Sequence, residues 1–504
     1  MHTAYLTEAQ YLSGLSCPKR LWFAYRDGAC PEVSPSAGRE QLLRAARLRM
    51  GGMREGNVAI APEADAEERC FATERALANG ARRVFGAALT CEGRLAEADA
   101  LVRCAGGRIG VVYVCDGFRI PDSLTERAAC FCVTLQTLGY TPAGVRVLRP
   151  DPNYVHGGTL VPEELLITED ITCRVQNRAG FAAQRLSEAS DTVARRTPPG
   201  VDFGAHCFKP ERCPYFGRCA EDAGLPSPNV FDLGGMQLTT KLRLYGEGKV
   251  SFEQLRTVKR LCATARMQLD AAEQGPETGI AVDREALAGF LGTLHYPLYH
   301  LDFETLNAPV PLYPGMRPYE FMPFQYSLHV QEAPGAEPGH TEYLAPLPDE
   351  READPQREIA ERLCREIPRD ACVLAWCSGF EQGVLTGLGE RYADLAPHLN
   401  AIAGNLTDLM LPFRKRMVVP AATHGSCSLK KVLPALFPDD PALDYGALEG
   451  VHNGAEAPDA FIRMALTAGE PRERIRRQLL EYCGLDTYAM VRILGKLTEL
   501  AKGD

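Results

Sequence analysis

The sequence lacks any apolar run of about 18 residues, the length that a helix needs to cross a bilayer. Its N-terminus also lacks the basic start and following apolar stretch of a secretory signal. Internal repeats and low-complexity tracts are missing too, and the 45% hydrophobic and 24% charged fractions are ordinary for a folded protein. These absences exclude membrane-spanning, disordered and collagen-like classes. They predict a cytoplasmic protein with no membrane partner.

An excess of positive charge is also lacking, because the formal net charge is −10. That balance does not exclude a nucleic-acid partner, since a localised basic groove can coexist with a cluster of catalytic acids. Cysteine, in contrast, is frequent, with 18 in a chain expected to be cytosolic. Most stand singly in apolar surroundings, which predicts small core residues. Examples are Cys130, Cys132, Cys372 and Cys483.

A length of 504 residues predicts about three folded units, at about 150 residues each. Residues 1–222 begin with a helical pattern, pass through short strands and end in a loop rich in Cys, Pro and Gly. Residues 223–296 carry helical periodicity broken by Gly and Pro, which predicts a helical connector. Residues 297–504 alternate strand-like and helix-like segments, so we expect an α/β domain there.

Two acids alternate in the first strand-like segment of residues 297–504. His300, Asp302 and Glu304 are spaced by two, and the period of a strand puts all three side chains on one face. Neighbouring carboxylates repel each other, and such a pair is easiest to sustain with divalent cations between them. An ordinary surface strand is the alternative interpretation, and the later acids bear on the choice.

A third acid falls inside the apolar stripe of the last helix-like segment. Asp486 continues the alternating steps of four and three residues. A buried carboxylate without a partner is costly, so a metal or a partner such as an Arg must lie close to it. Tyr482 lies one turn earlier on the same face, where its hydroxyl can reach a water or phosphate. The apolar members of the stripe are Leu479, Cys483, Met490, Ile493 and Leu497.

A fourth acid, Glu381, follows an apolar run and a Gly break, at the start of a helix-like segment. Its carboxylate is expected near a helix N-terminus, where it can complete a metal cage. A lone Glu in this position is also typical of a solvated first turn. Asp408 occupies a strand-like segment after this helix and is a further candidate for supporting the site.

Lysines and hydroxyl side chains precede another helix-like segment, which begins near Leu429. Lys430 and Lys431 follow two serines there, and lysines beside a helix N-terminus predict a phosphate contact. A simply capped helix start explains the same residues equally well.

The acidic motifs together resemble the DnaQ-like exonucleases. The resemblance rests on Asp-Phe-Glu-Thr at 302–305, Phe-Glu at 380–381 and Tyr-x-x-x-Asp at 482–486. It implies an RNase H-like mixed sheet flanked by helices, and a 3′–5′ exonuclease that favours single-stranded DNA over RNA. The four acids of that family hold two metal ions, Mg²⁺ or Mn²⁺. In this chain the implied ligands are Asp302, Glu304, Glu381 and Asp486.

The final motif resembles the tyrosine branch of the family. Tyr482 precedes Asp486 by four residues, and Glu481 stands where the histidine branch has its base. The resemblance implies that Tyr482 orients the water that attacks the phosphodiester, while two metals about 4 Å apart activate that water and stabilise the leaving oxygen. One departure is Glu381, since the family usually has Asp there.

Three cysteines near the end of residues 1–222 have the spacing of metal ligands. Cys207, Cys213 and Cys219 are six positions apart, and thiolates clustered in a cytosolic protein favour a metal over disulfides. A distant N-terminal Cys followed by such a trio resembles the iron–sulfur staple of PD-(D/E)xK nucleases. The resemblance implies Cys17 as the fourth ligand of a [4Fe–4S] cluster, with Zn²⁺ as the alternative.

The same nuclease class implies an Asp, then an acid-x-Lys, then a helix with Gln and Tyr. Asp99 fits the first motif and residues 135–140 resemble the last. The middle motif fails, because Tyr113 and Cys115 stand where the acid and lysine belong. Neither supplies a metal carboxylate or a fixed positive charge. We therefore expect an inactive, substrate-binding or architectural module.

The whole layout resembles an uncharacterised bacterial family. Its cysteine-stapled module, helical connector and exonuclease domain imply a nuclease with one working site. A different class of function is also open: a catalytically silent nucleic-acid-binding or scaffold protein built from two nuclease-like folds. A third hypothesis keeps the N-terminal module active through Asp116, which the missing lysine disfavours. Protein partners are unknown at this stage.

Overall fold

The computed structural model describes residues 5–28, 36–275, 279–350 and 354–503. The chain divides into two compact units. The first comprises Met1–Phe216 and Ala308–Glu320, and the second comprises Gly217–Asn307 and Phe321–Asp504. Mixed sheets with flanking helices confirm the predicted α/β class. The boundaries that the sequence predicts at residues 222 and 296 stay predictions.

In the described part of the first unit, six strands form one sheet in chain order. They are β1 (Asn57–Ala59), β2 (Arg83–Cys91), β3 (Arg94–Arg103), β4 (Ile109–Val114), β5 (Pro142–Pro150) and β6 (Leu166–Asp170). The β1–β2 and β4–β5 pairs are parallel and the other neighbours are antiparallel. The helices are α1 (Glu8–Ser16), α2 (Pro18–Arg26), α3 (Ala37–Arg49), α4 (Ala66–Ala78), α5 (Asp122–Thr137), α6 (Pro162–Leu165) and α7 (Thr172–Ala194).

The middle of this sheet separates two apolar cores. Side chains of β4 alternate between them, as the two-residue period of a strand requires. Ile109, Val111 and Tyr113 pack into one core, and Val112 and Val114 pack into the other. Tyr113 is therefore a core residue of the first unit.

In the described part of the second unit, five strands form a mixed sheet, and two short strands form a separate ribbon. The strands are β7 (Ile280–Val282), β8 (Leu298–Leu306), β9 (Met322–Gln331), β10 (Gly339–Leu344), β11 (Cys372–Ala375), β12 (Leu406–Asp408) and β13 (Val418–Pro420). The larger sheet has the order β10-β9-β8-β11-β12. The β10–β9 and β9–β8 pairs are antiparallel, and β11 is parallel to both β8 and β12.

Helices make up most of the remaining chain. They are α8 (Phe216–Asp222), α9 (Leu238–Gly246), α10 (Phe252–Arg256), α11 (Ala263–Gln274), α12 (Arg284–Leu291), α13 (Pro355–Glu366), α14 (Gly379–Arg391), α15 (Ala396–Gly404), α16 (Leu411–Arg414), α17 (Leu429–Leu436), α18 (Glu456–Leu466) and α19 (Glu470–Lys502). Short 3-10 helices cover Ala105–Gly107, Ala205–Cys207, Val230–Asp232, Ala421–Thr423, Pro441–Leu443 and Tyr445–Ala447. None of the helices in the described ranges combines the length and apolar character that a bilayer crossing needs.

The central strand β8 is covered on both faces. All of its residues are buried except Asp302, which is partly exposed. Helix α19 lies across β8 and β9, and the apolar stripe predicted for it is buried against them, from Leu479 to Leu497. This packing places the polar residues of the stripe directly over the polar residues of β8.

Candidate functional site

Three of the predicted acids meet where α19 crosses β8. Asp302 and Glu304 project from β8, and Asp486 projects from α19. One carboxylate oxygen of each lies within 4.8 Å of the others, a spacing that suits a shared metal ion. Glu304 and Asp486 are each 7% exposed. The surface-strand alternative for this segment is therefore wrong.

Glu381 is the fourth acid, and it comes from the first turn of α14, just after β11. Its residue is 2% exposed, so the alternative of a solvated first-turn Glu is wrong. Its Oε2 atom is buried and has no hydrogen-bond partner among the described residues. A buried carboxylate oxygen without a donor is costly, and a cation is the natural partner for it.

These four residues, Asp302, Glu304, Glu381 and Asp486, are called the acid cluster below. Burial raises the pKa of Asp302 well above its ordinary value, and the other three charges raise it further. Burial also raises the pKa of Glu304 to about 8, with the charge of Asp486 adding to the rise. At neutral pH the cluster therefore retains protons unless positive charge is brought to it.

Burial raises the pKa of Glu381 to about 8 as well, and the charge of Asp408 adds to that rise. Burial raises the pKa of Asp486, but hydrogen bonds from Tyr445 and Tyr482 and the charge of Lys430 oppose this rise. Like-charged, desolvated carboxylates that share one small volume are the donor set that hard divalent cations bind. Three of these residues, Asp302, Glu304 and Asp486, are thus placed to hold a metal ion, and the number and identity of the ions stay predictions.

Tyr482 lies beside the acid cluster, as the one-turn spacing predicts. Its residue is 3% exposed, and burial together with the charge of Asp486 raises the pKa of its hydroxyl. The same hydroxyl accepts a hydrogen bond of 3.0 Å from Lys430 Nζ. Lys430 thus reaches the site itself, whereas Lys431 is exposed one position further along α17.

A second tyrosine, Tyr445, was not found by sequence analysis. It is 8% exposed, and its hydroxyl donates to Asp486 Oδ1. It begins a 3-10 helix after a segment rich in Pro and Asp, where there is no periodicity from which its direction could be inferred. Gly454 lies against the site as well, since a Cβ there would lie 3.8 Å from both Glu304 Oε1 and the Tyr482 hydroxyl.

Two other polar neighbours complete the face of β8. Cys483, predicted as a core residue, is fully buried and also donates a 3.6 Å hydrogen bond to Asp302 Oδ2. His300 is buried two positions before Asp302, and neither ring nitrogen has a partner among the described residues. Burial lowers the pKa of His300 to about 3, and the nearby His329 adds to the effect. His300 is therefore neutral and adds no charge to the acid cluster.

Asp408 has other partners within its own region. Its Oδ1 atom accepts from the amides of Cys377, at 3.2 Å, and Met410, at 3.0 Å. Its Oδ2 atom lies 3.1 Å from Arg414. These contacts tie the end of β12 to its surroundings, while Asp408 acts on the site through its effect on the pKa of Glu381.

In the first unit, the candidate nuclease residues surround an arginine. Arg39 donates to both oxygens of Asp99, at 2.9 and 3.0 Å, and pairs with Asp116. Tyr113 is fully buried and donates to the Glu97 carbonyl, and Cys115 is 4% exposed. A guanidinium thus holds together the two acids that a metal would need.

The cysteines predicted to bind a cluster lie in or next to short helices. Cys17 separates α1 from α2, and the Cys213 amide donates to the Cys207 carbonyl at 2.9 Å. Burial raises the pKa of the Cys207 thiol, and the neighbouring Cys17 and Cys213 thiols contribute to the rise. Cys219 lies in α8. The identity of a metal at these thiols stays a prediction.

Comparison with known proteins gives one partial match. A family described as "Domain of unknown function (DUF2779)" matches residues 299–428. No curated protein sequence matches the chain. The matched segment contains Asp302, Glu304 and Glu381 but ends before Lys430 and Asp486. The comparison therefore covers part of the acid cluster and assigns no function to it.

Proposed function

We propose that the second unit is a metal-dependent 3′–5′ exonuclease that hydrolyses phosphodiester bonds of nucleic acid. The observation that carries the proposal is the acid cluster: three carboxylate oxygens within 4.8 Å, on the central strand and the helix that crosses it. A buried cluster of this kind has little structural value without cations, because each carboxylate loses hydration and repels the next. A reaction that needs divalent cations accounts for this buried group of carboxylates.

The fold supports the same proposal. The first two acids lie on β8, the central strand of a mixed sheet, and the last lies on a helix packed across it. This is compatible with the RNase H-like domain that the DnaQ-like resemblance implies. Three separate segments supply the four acids, and a fold that brings them together for core packing alone would use apolar residues.

Each residue has a defined role in the proposed reaction. Asp302, Glu304 and Asp486 would hold the divalent ions, with the unpaired Oε2 of Glu381 as the remaining ligand. Bound Mg²⁺ or Mn²⁺ would supply Lewis acidity toward the phosphodiester and its attacking water. Tyr482, fixed next to Asp486, would orient that water.

Space for a substrate adjoins the cluster. A cavity of about 690 Å³ is lined by both Lys430 and Tyr445, which also contact the site, and by Phe437 and Gly446. This volume suits a ligand of nucleotide size. The charge of Lys430 acts on Glu304 and Asp486 of the acid cluster beside this cavity. The cavity thus provides room for one nucleotide next to the cluster.

The test is digestion of single-stranded DNA and RNA, each labelled at its 5′ end, with and without Mn²⁺. We expect a ladder of products shortened from the 3′ end, and no products from Asp302→Asn or Asp486→Asn. Glu390→Gln, an exposed acid on the same helix as Glu381, is the matched control and should retain activity. A wild-type protein inactive on both polymers, with Mn²⁺ bound, would favour the silent binding protein instead.

We also propose that the first unit contributes no cleavage, and that Cys17, Cys207, Cys213 and Cys219 bind a [4Fe–4S] cluster, with Zn²⁺ as the alternative. The ion pairs of Arg39 support the first part, because its guanidinium already pairs with both Asp99 and Asp116. The mutual influence of the Cys17, Cys207 and Cys213 thiols supports the second.

A further inference from the structure

Lys430 is held in one place beside the acid cluster. Its Nζ donates to the His452 carbonyl at 2.6 Å and to the Tyr482 hydroxyl at 3.0 Å. The ammonium also lies 4.7 Å from the centre of the Tyr482 ring and 4.9 Å from that of Tyr445. A long side chain with four such contacts, in the first turn of α17, is not a solvated surface lysine.

Donor and acceptor rules fix the direction of the hydrogen bonds. An ammonium can only donate, so the Tyr482 oxygen must accept from Lys430. The phenol proton is then directed away from the ammonium, toward Asp486, whose charge acts on this hydroxyl. One remaining lone pair of the Tyr482 oxygen is available to a water. Lys430 therefore decides which way the Tyr482 hydroxyl points.

The charge of Lys430 reinforces the arrangement. Among the described residues, it is the cation that lowers the pKa of both Glu304 and Asp486. The hydrogen bond from Lys430 to the Tyr482 hydroxyl keeps that charge fixed beside the acid cluster. A neutral side chain at position 430 would leave Tyr482 free to rotate its proton.

We propose that Lys430 is a positioning residue of the second unit, which acts by orienting the hydroxyl of Tyr482 between the ammonium and Asp486. This inference rests on the proposed exonuclease function for its catalytic consequence, but the orientation itself does not depend on any activity. Lys431, its exposed neighbour on α17, offers a matched control of the same charge.

The kinetic test is a double-mutant cycle on the nuclease reaction. Tyr482→Phe should lower kcat by about 10²-fold, the lower end of the range for a lost positioning group. Lys430→Met should lower kcat by about 10-fold or more with KM changed less than about threefold, because ground-state binding is retained. Lys430→Arg should restore part of the rate, since a guanidinium also only donates. Lys431→Met should stay within about twofold of wild type.

The double variant distinguishes positioning from direct substrate contact. If Lys430 acts through Tyr482, adding Lys430→Met to Tyr482→Phe should cost no more than about twofold further. Fully additive losses, or a loss expressed in KM alone, would overturn the proposal and make Lys430 a substrate-binding residue. If Lys430→Met does not fold, Lys430→Arg is combined with Tyr482→Phe instead. A loss of kcat in this double variant that exceeds the loss in Tyr482→Phe alone would then overturn the proposal.

A second measurement is independent of activity. With 3-fluorotyrosine at position 482, the ¹⁹F signal should shift in Lys430→Met and stay in place in Lys431→Met. An unchanged signal in both variants would overturn the proposal whatever the enzyme does. If the signal shifts in Lys430→Met but the wild-type protein digests neither DNA nor RNA, the role of Lys430 in orienting Tyr482 stands and the proposed exonuclease function is refuted.

Discussion

Glu381 differs from its expected residue by one methylene and offers the sharpest single-residue test. Glu381→Gln keeps the size of the side chain and removes its charge, so the packing of α14 should be preserved. We expect activity to fall by at least about 10–100-fold, the range for losing even an indirect partner of a bound metal. The measurement is Mn²⁺-dependent digestion together with calorimetric titration of Mn²⁺.

Glu390→Gln is the control for that substitution, because it removes an exposed acid from the same helix. Full activity of Glu381→Gln with two ions bound would remove Glu381 from the ligand set. Asp408 would then be the next residue to test, although its oxygens already have partners in Cys377, Met410 and Arg414.

Residues whose direction follows from a period could be predicted from sequence. The two-residue period of a strand put Asp302 and Glu304 on one face, and the helical stripe put Asp486 toward the sheet; the structure brings their oxygens together. Tyr445 could not be predicted, because a 3-10 helix of three residues has no period that sets a face. Lys430 could be singled out only as a phosphate contact, since its bond to Tyr482 joins residues 52 positions apart.

At the scale of elements, the contacts of Asp99 on β3 allow a test of the proposal that the first unit does not cleave nucleic acid. Asp99→Ala removes the bidentate partner of Arg39 and the acceptor of the Val114 amide, which donates to Asp99 at 2.7 Å. We expect nuclease activity to stay within about twofold, since no metal carboxylate is removed. The free energy of unfolding should fall by about 1–3 kcal/mol, because a buried amide and part of a guanidinium lose their partner.

Denaturant unfolding and the digestion assay, run on the same Asp99→Ala preparation, separate these effects. Asp99→Asn is the companion variant, because its amide oxygen can still accept from Val114 and should recover part of the stability. A loss of activity of 10-fold or more, in protein that remains folded, would show that the first unit cuts nucleic acid after all.

The four proposed cysteine ligands allow a second test at the scale of elements. Protein purified without oxygen should be brown and contain about four irons per chain if four thiolates hold one [4Fe–4S] cluster. Cys207→Ser should lose colour and iron, while Cys173→Ser, an exposed cysteine of α7, should keep both. Stoichiometric zinc without iron would contradict the cluster and select the alternative metal.

Element identity was predictable where the pattern is local. The stripe of α19 and the alternation of β8 are properties of continuous segments, and both are found in the structure. Arg39 could not be connected to Asp99 and Asp116 in advance, because it comes from a helix 60 and 77 positions earlier in the chain. Such pairings depend on packing between elements, which no single segment encodes.

At the scale of the whole molecule, the acid cluster should make metal-free stability depend on pH. The pKa values of Glu304 and Glu381 are raised from 4.5 to about 8 in the folded protein. The folded state therefore binds protons that the unfolded state has released, and stability that is complete below pH of about 4.5 is lost as pH rises through about 8. Metal ions should reverse this loss, since they replace the protons.

The contribution of the cluster can be isolated by comparing thermal unfolding of wild type and of the double variant Glu304→Gln, Glu381→Gln at several values of pH between about 5 and 9. Because neutral amides cannot titrate there, the variant should gain stability relative to metal-free wild type as pH rises. Mn²⁺ at about 100 times its Kd should stabilise wild type by about 2.7 kcal/mol for each ion bound and leave the variant nearly unchanged. Parallel curves for the two proteins, with or without Mn²⁺, would mean that these buried carboxylates neither hold protons nor bind metal, and the acid cluster would lose its proposed role.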